Sequence, residues 1–163
     1  MVVNQEDFHK LMGAGQVLEL TLSLDAGNVY ADGDVLAATQ ELENVDIGMA
    51  VCGLIQSILV LDVDDQAQAF DLVFLDSNVA LGTENAAVSI SDANAAKIVG
   101  VVEIATGDYV DLAGSQIAHK ENLGIQFKCA SGETSLWVGA ISRGTGTYTA
   151  SGIKLKIGIW YGL

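Results

Sequence analysis

The densest group of potential ligands in the chain is Asp62-Val63-Asp64-Asp65, where several carboxylate oxygens stand close enough in sequence to converge on a hard cation such as calcium. An EF-hand loop starting at Asp62 would want glycine at its sixth position and glutamate at its twelfth, where this sequence has Ala67 and Val73. A solvated turn is therefore expected and no metal is assigned. Asp32-Gly33-Asp34 raises the same question, but Asp and Gly are the residues that tight turns select. Cys52 and Cys129 sit in strand-like runs without CxxC or Cys/His spacing, the pattern of buried free thiols. The two histidines are His9, near the start, and His119, beside Lys120 in a segment that reads as a loop, so no nucleophile, base and acid can be assembled. Ser142 lacks the Gly-x-Ser-x-Gly frame of a nucleophile elbow. Gly13-Ala14-Gly15 lacks a preceding strand and a third glycine, and Arg143-Gly144-Thr145-Gly146 lacks the P-loop lysine. The expectation is a protein without catalytic residues or cofactor.

Other residues suit contact rather than chemistry. In the last strand-like run Lys154, Lys156 and Trp160 share one face while Ile153, Leu155, Ile157, Ile159 and Tyr161 share the other, giving a contact face and a core face. Tryptophan beside lysines makes either a sugar platform or a protein interface, against the plainer reading of a ring lying under lysine stems. Arg143 is the only arginine, and its functional reading is an acidic partner across a subunit contact. Near the start, Asn4 can cap a turn after which Phe8, Leu11 and Met12 share one helical face, too short to be buried by itself.

These residues need a scaffold, and composition narrows it. The 163 residues suffice for one domain, half of them are apolar, and only 17% are charged, so the net charge of −14 belongs to a chain with a real core. That charge argues against nucleic acid and against anionic membrane surfaces. No apolar run reaches the roughly 20 residues of a membrane span, and Met1 to Gly15 shows no export signal. From Leu11 to Ala96 there are 14 acidic residues and no Lys or Arg, whereas Lys97 to Leu163 holds six basic against five acidic. Strand-like runs continue across Lys97 without a polar linker, so one domain with an electrically two-faced surface is expected. With no proline and 18 glycines, turns fall to Gly, Asn and Asp, as at Asp25-Ala26-Gly27-Asn28, Ala113-Gly114-Ser115 and Ser131-Gly132.

Alternation of period two dominates, in Val17 to Leu24, Phe70 to Phe74, Ile125 to Cys129 and Ile153 to Ile159. Met49 to Leu61 is apolar on both alternations, as for a central strand or one lying between a sheet and another covered surface. Thr134 to Ser142 likewise has two partly apolar faces. A single helix is expected at Asp92 to Val99, capped by Ser91. The expected fold is all-β: an antiparallel, jelly-roll-like β-sandwich over 17–163 with one short helix, preceded by an N-terminal arm over 1–16. Its core candidates are Leu18, Leu20, Leu22, Phe70, Leu72, Phe74, Ile125, Phe127, Ile157 and Ile159.

Several runs carry a family likeness: Leu20-Thr21-Leu22-Ser23-Leu24-Asp25, Gly33-Asp34-Val35-Leu36, Asp71-Leu72-Val73-Phe74-Leu75-Asp76 and Leu81-Gly82-Thr83-Glu84-Asn85-Ala86-Ala87. It continues in Ile90-Ser91-Asp92-Ala93-Asn94-Ala95-Ala96, Val101-Val102-Glu103-Ile104 and Ala140-Ile141-Ser142-Arg143-Gly144-Thr145. Over most of the chain after the arm, the sequence resembles small virion structural proteins of tailed bacteriophages, especially of marine bacteria, that decorate or cement the capsid. The resemblance implies a sandwich bound to the capsid exterior, assembled in the host cytoplasm, with the major capsid protein as partner and no active-site residues. It also leaves a tail or fibre position open. A symmetric homo-oligomer is expected, a trimer first, because shell lattices offer three-fold positions. The contacts would come from Phe8, Leu11 and Met12 of the arm and from Arg143, Lys154, Lys156 and Trp160 of the body. The alternative function is a carbohydrate-binding module stacking sugars on Trp160 or Trp137.

Overall fold

A computed structural model describes residues 14–45 and 52–161. The described residues form β1 (Ala14–Thr21), β2 (Val35–Leu42), β3 (Cys52–Asp62), β4 (Phe70–Leu75), α1 (Asp92–Ala95), β5 (Ile98–Ile104), β6 (Tyr109–Asp111), β7 (Gln116–Lys128), β8 (Leu136–Ser142) and β9 (Ile153–Tyr161), with a 3-10 turn at Thr106–Asp108. The strands make a five-stranded sheet in the order β1-β9-β3-β7-β6 and a four-stranded sheet in the order β2-β8-β4-β5, antiparallel throughout. With the short edge strand β6 set aside, the eight remaining strands run first-eighth-third-sixth in one sheet and second-seventh-fourth-fifth in the other. This is the order of a jelly roll.

The core lies between the sheets. Leu22, Phe70, Leu72, Phe74, Phe127, Ile157 and Ile159 are buried there, while Leu18, Leu20 and Ile125 are partly buried against them. In β9 the strict alternation holds, with Ile153, Leu155, Ile157, Ile159 and Tyr161 inward. In β3 it breaks: pairing slips between Ile55 and Ser57 against both neighbours, so Gln56 is a bulge. Ile55 and Ile58, three residues apart, therefore both face the core, and Leu54, Leu59 and Leu61 take the opposite side.

The outer face of the four-stranded sheet is sealed by its own chain. The connection from β4 to β5 brings Val79, Leu81, Val88 and Ile90 over Val73, Leu75, Trp137 and Ile141, a second small core. It is tied to β2 by Val35 N–H donating to Ala86 O at 2.8 Å and by Thr39 Oγ1 donating to Val79 O at 2.7 Å. The two apolar faces of Thr134 to Ser142 thus face two cores, one on each side of the sheet.

Three local expectations are corrected. The helix is shorter than Asp92 to Val99: Ser91 Oγ caps it by accepting from Asn94 N–H, but it stops at Ala95, and Ile98 and Val99 enter β5, where β-branched side chains pack against β4 and the core. His119 lies in the long strand β7 and not in a loop, because it pairs with Leu59 on the solvent side of the sheet, where polar residues are at home. The sandwich also begins before residue 17, since Ala14, Gly15 and Gln16 already pair with Tyr161, Trp160 and Ile159. Among the described residues no helix is long and apolar enough to cross a membrane.

Candidate interaction face

Cross-strand register places three of the contact residues expected from sequence, Lys154, Lys156 and Trp160, on the outer face of the five-stranded sheet. One row runs Thr21, Lys154, Leu61, Ile117, Val110; the next runs Glu19, Lys156, Leu59, His119. Further along, Gly15, Trp160, Leu54 and Gln126 align, and Lys128 stands opposite Cys52. Lys154, Lys156 and Trp160 therefore meet on one face. Leu59, Leu61 and Ile117 form with the two lysines an open groove of about 330 Å³, with Thr21 and Glu19 along the β1 side. No described residue covers it, in contrast to the second face of β8.

The electrostatics of this face differ from those of the chain. Seven cations stand against 21 carboxylates overall, yet Lys128, Lys154 and Lys156 are gathered on this side of the sheet. Lys156 Nζ lies 3.1 Å from Glu19 Oε1, an exposed pair that water screens, and Lys154 makes no ion pair among the described residues. His119 Nδ1 is 3.3 Å from Glu121 Oε1. Trp160 is 61% exposed, and beside it Gly15 leaves one flank of the ring clear, since a Cβ there would sit 3.4 Å from Trp160 Cδ1.

Arg143 does not join this face. Its Nε donates to Asp71 Oδ2 at 2.8 Å and its Nη1 lies 3.6 Å from Asp32 Oδ1, so the carboxylates that hold it belong to its own chain. Asp71 beside it raises the guanidinium pKa further. Phe8, Leu11 and Met12 lie outside the described residues.

The acidic loop after β3 is a structural joint. Asp62 is fully buried, and its carboxylate accepts from the N–H groups of Asp64 at 3.0 Å, Gln66 at 2.9 Å and Ala67 at 2.8 Å. Asp64 accepts from Thr149 N–H at 2.7 Å, Gln66 Oε1 from Thr147 N–H and Gln68 Oε1 from Thr145 N–H, which binds this loop to the one between β8 and β9. These oxygens are engaged by the protein's own donors. Among the described residues no group of three or more His, Cys, Asp or Glu side chains is arranged to hold a metal ion. Cys129 is buried, whereas Cys52, expected to be buried, is exposed.

The sequence put Lys154, Lys156 and Trp160 on one face of a strand; it did not single out Leu59, Leu61 and Ile117, which line the groove with the two lysines from two other strands. The signal present for β3 was its apolar character on both alternations.

No protein-family model matches the chain, and no curated protein matches it. Among solved structures, that of infectious bursal disease virus strain Gx aligns with 91% of this chain and 41% of its own, at 12% identity and a TM-score of 0.23. The chain thus spans about two fifths of that protein's length, and a likeness of this size carries no argument about fold or function.

Proposed function

We propose that this protein is a virion structural component of the capsid-decoration type, binding the outside of a shell of major capsid protein and stapling neighbouring subunits. It acts as a homo-oligomer, with a trimer as first choice, and is assembled in the host cytoplasm. It catalyses no reaction and holds no cofactor. The observation that carries this reading is the open outer face of the five-stranded sheet. The chain seals the second apolar face of β8 with its own loop, and no described residue covers the half-buried second apolar face of β3, which lysines border. An uncovered apolar face with a charged border is what a docking surface requires. Jelly rolls recur in viral capsids, which supports the reading by analogy of fold alone. The charge of −14 fits a place outside the packaged nucleic acid.

Quantitative mass spectrometry of particles purified from the virus encoding this chain tests the proposal. Copy numbers in the hundreds per particle are expected. A handful would move the protein to the tail or a fibre, and absence would end the virion reading. The second reading, a carbohydrate-binding module, is favoured by the exposed Trp160 ring beside Gly15. Glycan-array binding that is lost in Trp160→Ala would select it.

A further inference from the structure

We propose that the groove on the five-stranded sheet is filled by the Asp111-Leu112 turn of a second copy of this chain. This rests on the homo-oligomer in the reading above and adds the two surfaces that meet.

The turn between β6 and β7 is a preformed knob. Leu112 N–H donates to Ser115 O at 2.9 Å, Ala113 N–H donates to Asp111 Oδ1 at 2.6 Å, and Ala113 takes a left-handed φ of 67°. These bonds fix the turn beyond the last cross-strand pair, Asp111 with Gln116. They leave Leu112, a large aliphatic residue, 53% exposed at the tip, next to exposed Val110 and Asp111. A leucine held out in water by a rigid turn loses little further freedom on binding.

The groove is its complement. Leu59, Leu61 and Ile117 offer an apolar floor, and Lys154 and Lys156 offer ammonium groups to a carboxylate beside the inserted side chain. Lys154 has no ion pair among the described residues, and Asp111 has carboxylate capacity left after its bond from Ala113 N–H. Two copies of a chain at −14 repel unless their contact matches cations with carboxylates. This face and this turn do so. Knob and groove are different patches of one chain, so two copies can exchange them about a two-fold axis, and copies joined head to tail can close a ring such as a trimer.

The test is light scattering of the full chain over a range of concentration and salt, with circular dichroism as the check on folding. The expected mass is a multiple of 17.0 kDa that falls towards the monomer as salt rises. Leu112→Asp, Asp111→Lys and Lys154→Glu alter exposed side chains, keep the fold, and each weaken association about tenfold or more. The double variant D111K/K154E associates more tightly than either single charge variant, because the pair is restored with its signs exchanged, and falls short of the wild type because lysine cannot accept from Ala113 N–H. A wild type that stays monomeric, an oligomer indifferent to Leu112→Asp and Lys154→Glu, or a charge swap without recovery overturns the inference. Monomeric protein that still binds shells through this face would give the groove to the capsid protein, overturning the inference and leaving the decoration reading in place. An oligomer with charge-swap recovery that is absent from particles would do the reverse.

Discussion

The rings of Tyr30 and Tyr148 lie 6.3 Å apart between centroids, tilted by 55°, and their hydroxyls are treated in opposite ways. Tyr30 Oη accepts from Asp25 N–H at 2.7 Å and points to Glu84 Oε1 at 3.4 Å, whereas the buried Tyr148 hydroxyl has no hydrogen-bond partner among the described residues. Burial raises the phenol pKa of both, so both are neutral in the fold. Tyr30→Phe strands a donor and is expected to cost about 1 kcal/mol, while Tyr148→Phe removes an unpaired polar atom and is expected to be neutral or stabilising within about 0.5 kcal/mol. Urea unfolding of the two variants checks this. A loss in Tyr148→Phe as large as in Tyr30→Phe would mean that the Tyr148 hydroxyl is bonded.

Leu81 occupies the space that a side chain at position 139 would need. A Cβ on Gly139 would come within 2.6 Å of Leu81 Cδ1 and 3.3 Å of its Cγ, and Leu81 is buried with no open side to turn towards. Gly139→Ala is expected to overpack the loop cover by about 1–3 kcal/mol. For a chain of this size that lowers the melting temperature by about 2–4 °C per kcal/mol. Leu81→Ala removes the plug itself and is expected to cost about 2–5 kcal/mol. Differential scanning calorimetry measures both, and an unchanged Gly139→Ala would show that the loop gives way freely.

What the sequence disclosed follows the range of its interactions. In β9 the sorting of Lys154, Lys156 and Trp160 from Ile153, Leu155 and Ile157 is correct because an unbulged strand has a period of two everywhere. In β3 the two-sided apolar character was visible, but not which leucines faced out, since the bulge at Gln56 has no compositional mark. In β7 the positive φ values of Asn122 and Gly124 break the alternation, and the exposed His119 and Glu121 read as a loop. The cover of Val79, Leu81, Val88 and Ile90 alternates only within two short segments outside the strands, too brief for a periodic signal. It is defined only by the sheet beneath it. The groove depends on strand order, which places β9 and β7 on either side of β3 from positions well over thirty residues further along the chain, at Gln116–Lys128 and Ile153–Tyr161. Alternation cannot carry that information.

Arg143 is conspicuous in the sequence and is held within its own chain in the fold. As the single arginine it suggested a contact between subunits, but Asp71 and Asp32 of its own chain hold it. Arg143→Ala is expected to lower stability by about 0.5–1 kcal/mol, as for a partly exposed pair, and to leave oligomer mass and particle association unchanged. Thermal unfolding together with light scattering separates the two effects. Loss of association in a fully folded Arg143→Ala would return the residue to the interface.

Asp62 gives the fold a pH dependence whose sign is fixed by competing causes. Complete burial raises its pKa above the ordinary 3.8, and three backbone N–H donors pull it down without cancelling the rise. Because the folded value exceeds the unfolded one, the native state holds the Asp62 proton more tightly. Asp62 therefore contributes most below about pH 3.9 and loses that contribution as pH rises through the folded value. Asp108 runs the other way: its hydrogen bond from Lys120, 2.5 Å away, lowers its pKa, so its contribution is present above the unfolded value and is lost as acid protonates it. In a comparison of wild type with Asp62→Asn the Asp108 contribution is common to both and cancels. The variant, which has no proton to lose, is expected to gain on the wild type as pH rises from 3 through the folded pKa of Asp62, after which the difference stays constant. Urea unfolding free energies of the two proteins between pH 3 and 7 measure that difference directly. A wild type that gains on the variant over this window would mean that the three N–H donors outweigh burial, so that the folded carboxyl titrates below its unfolded value.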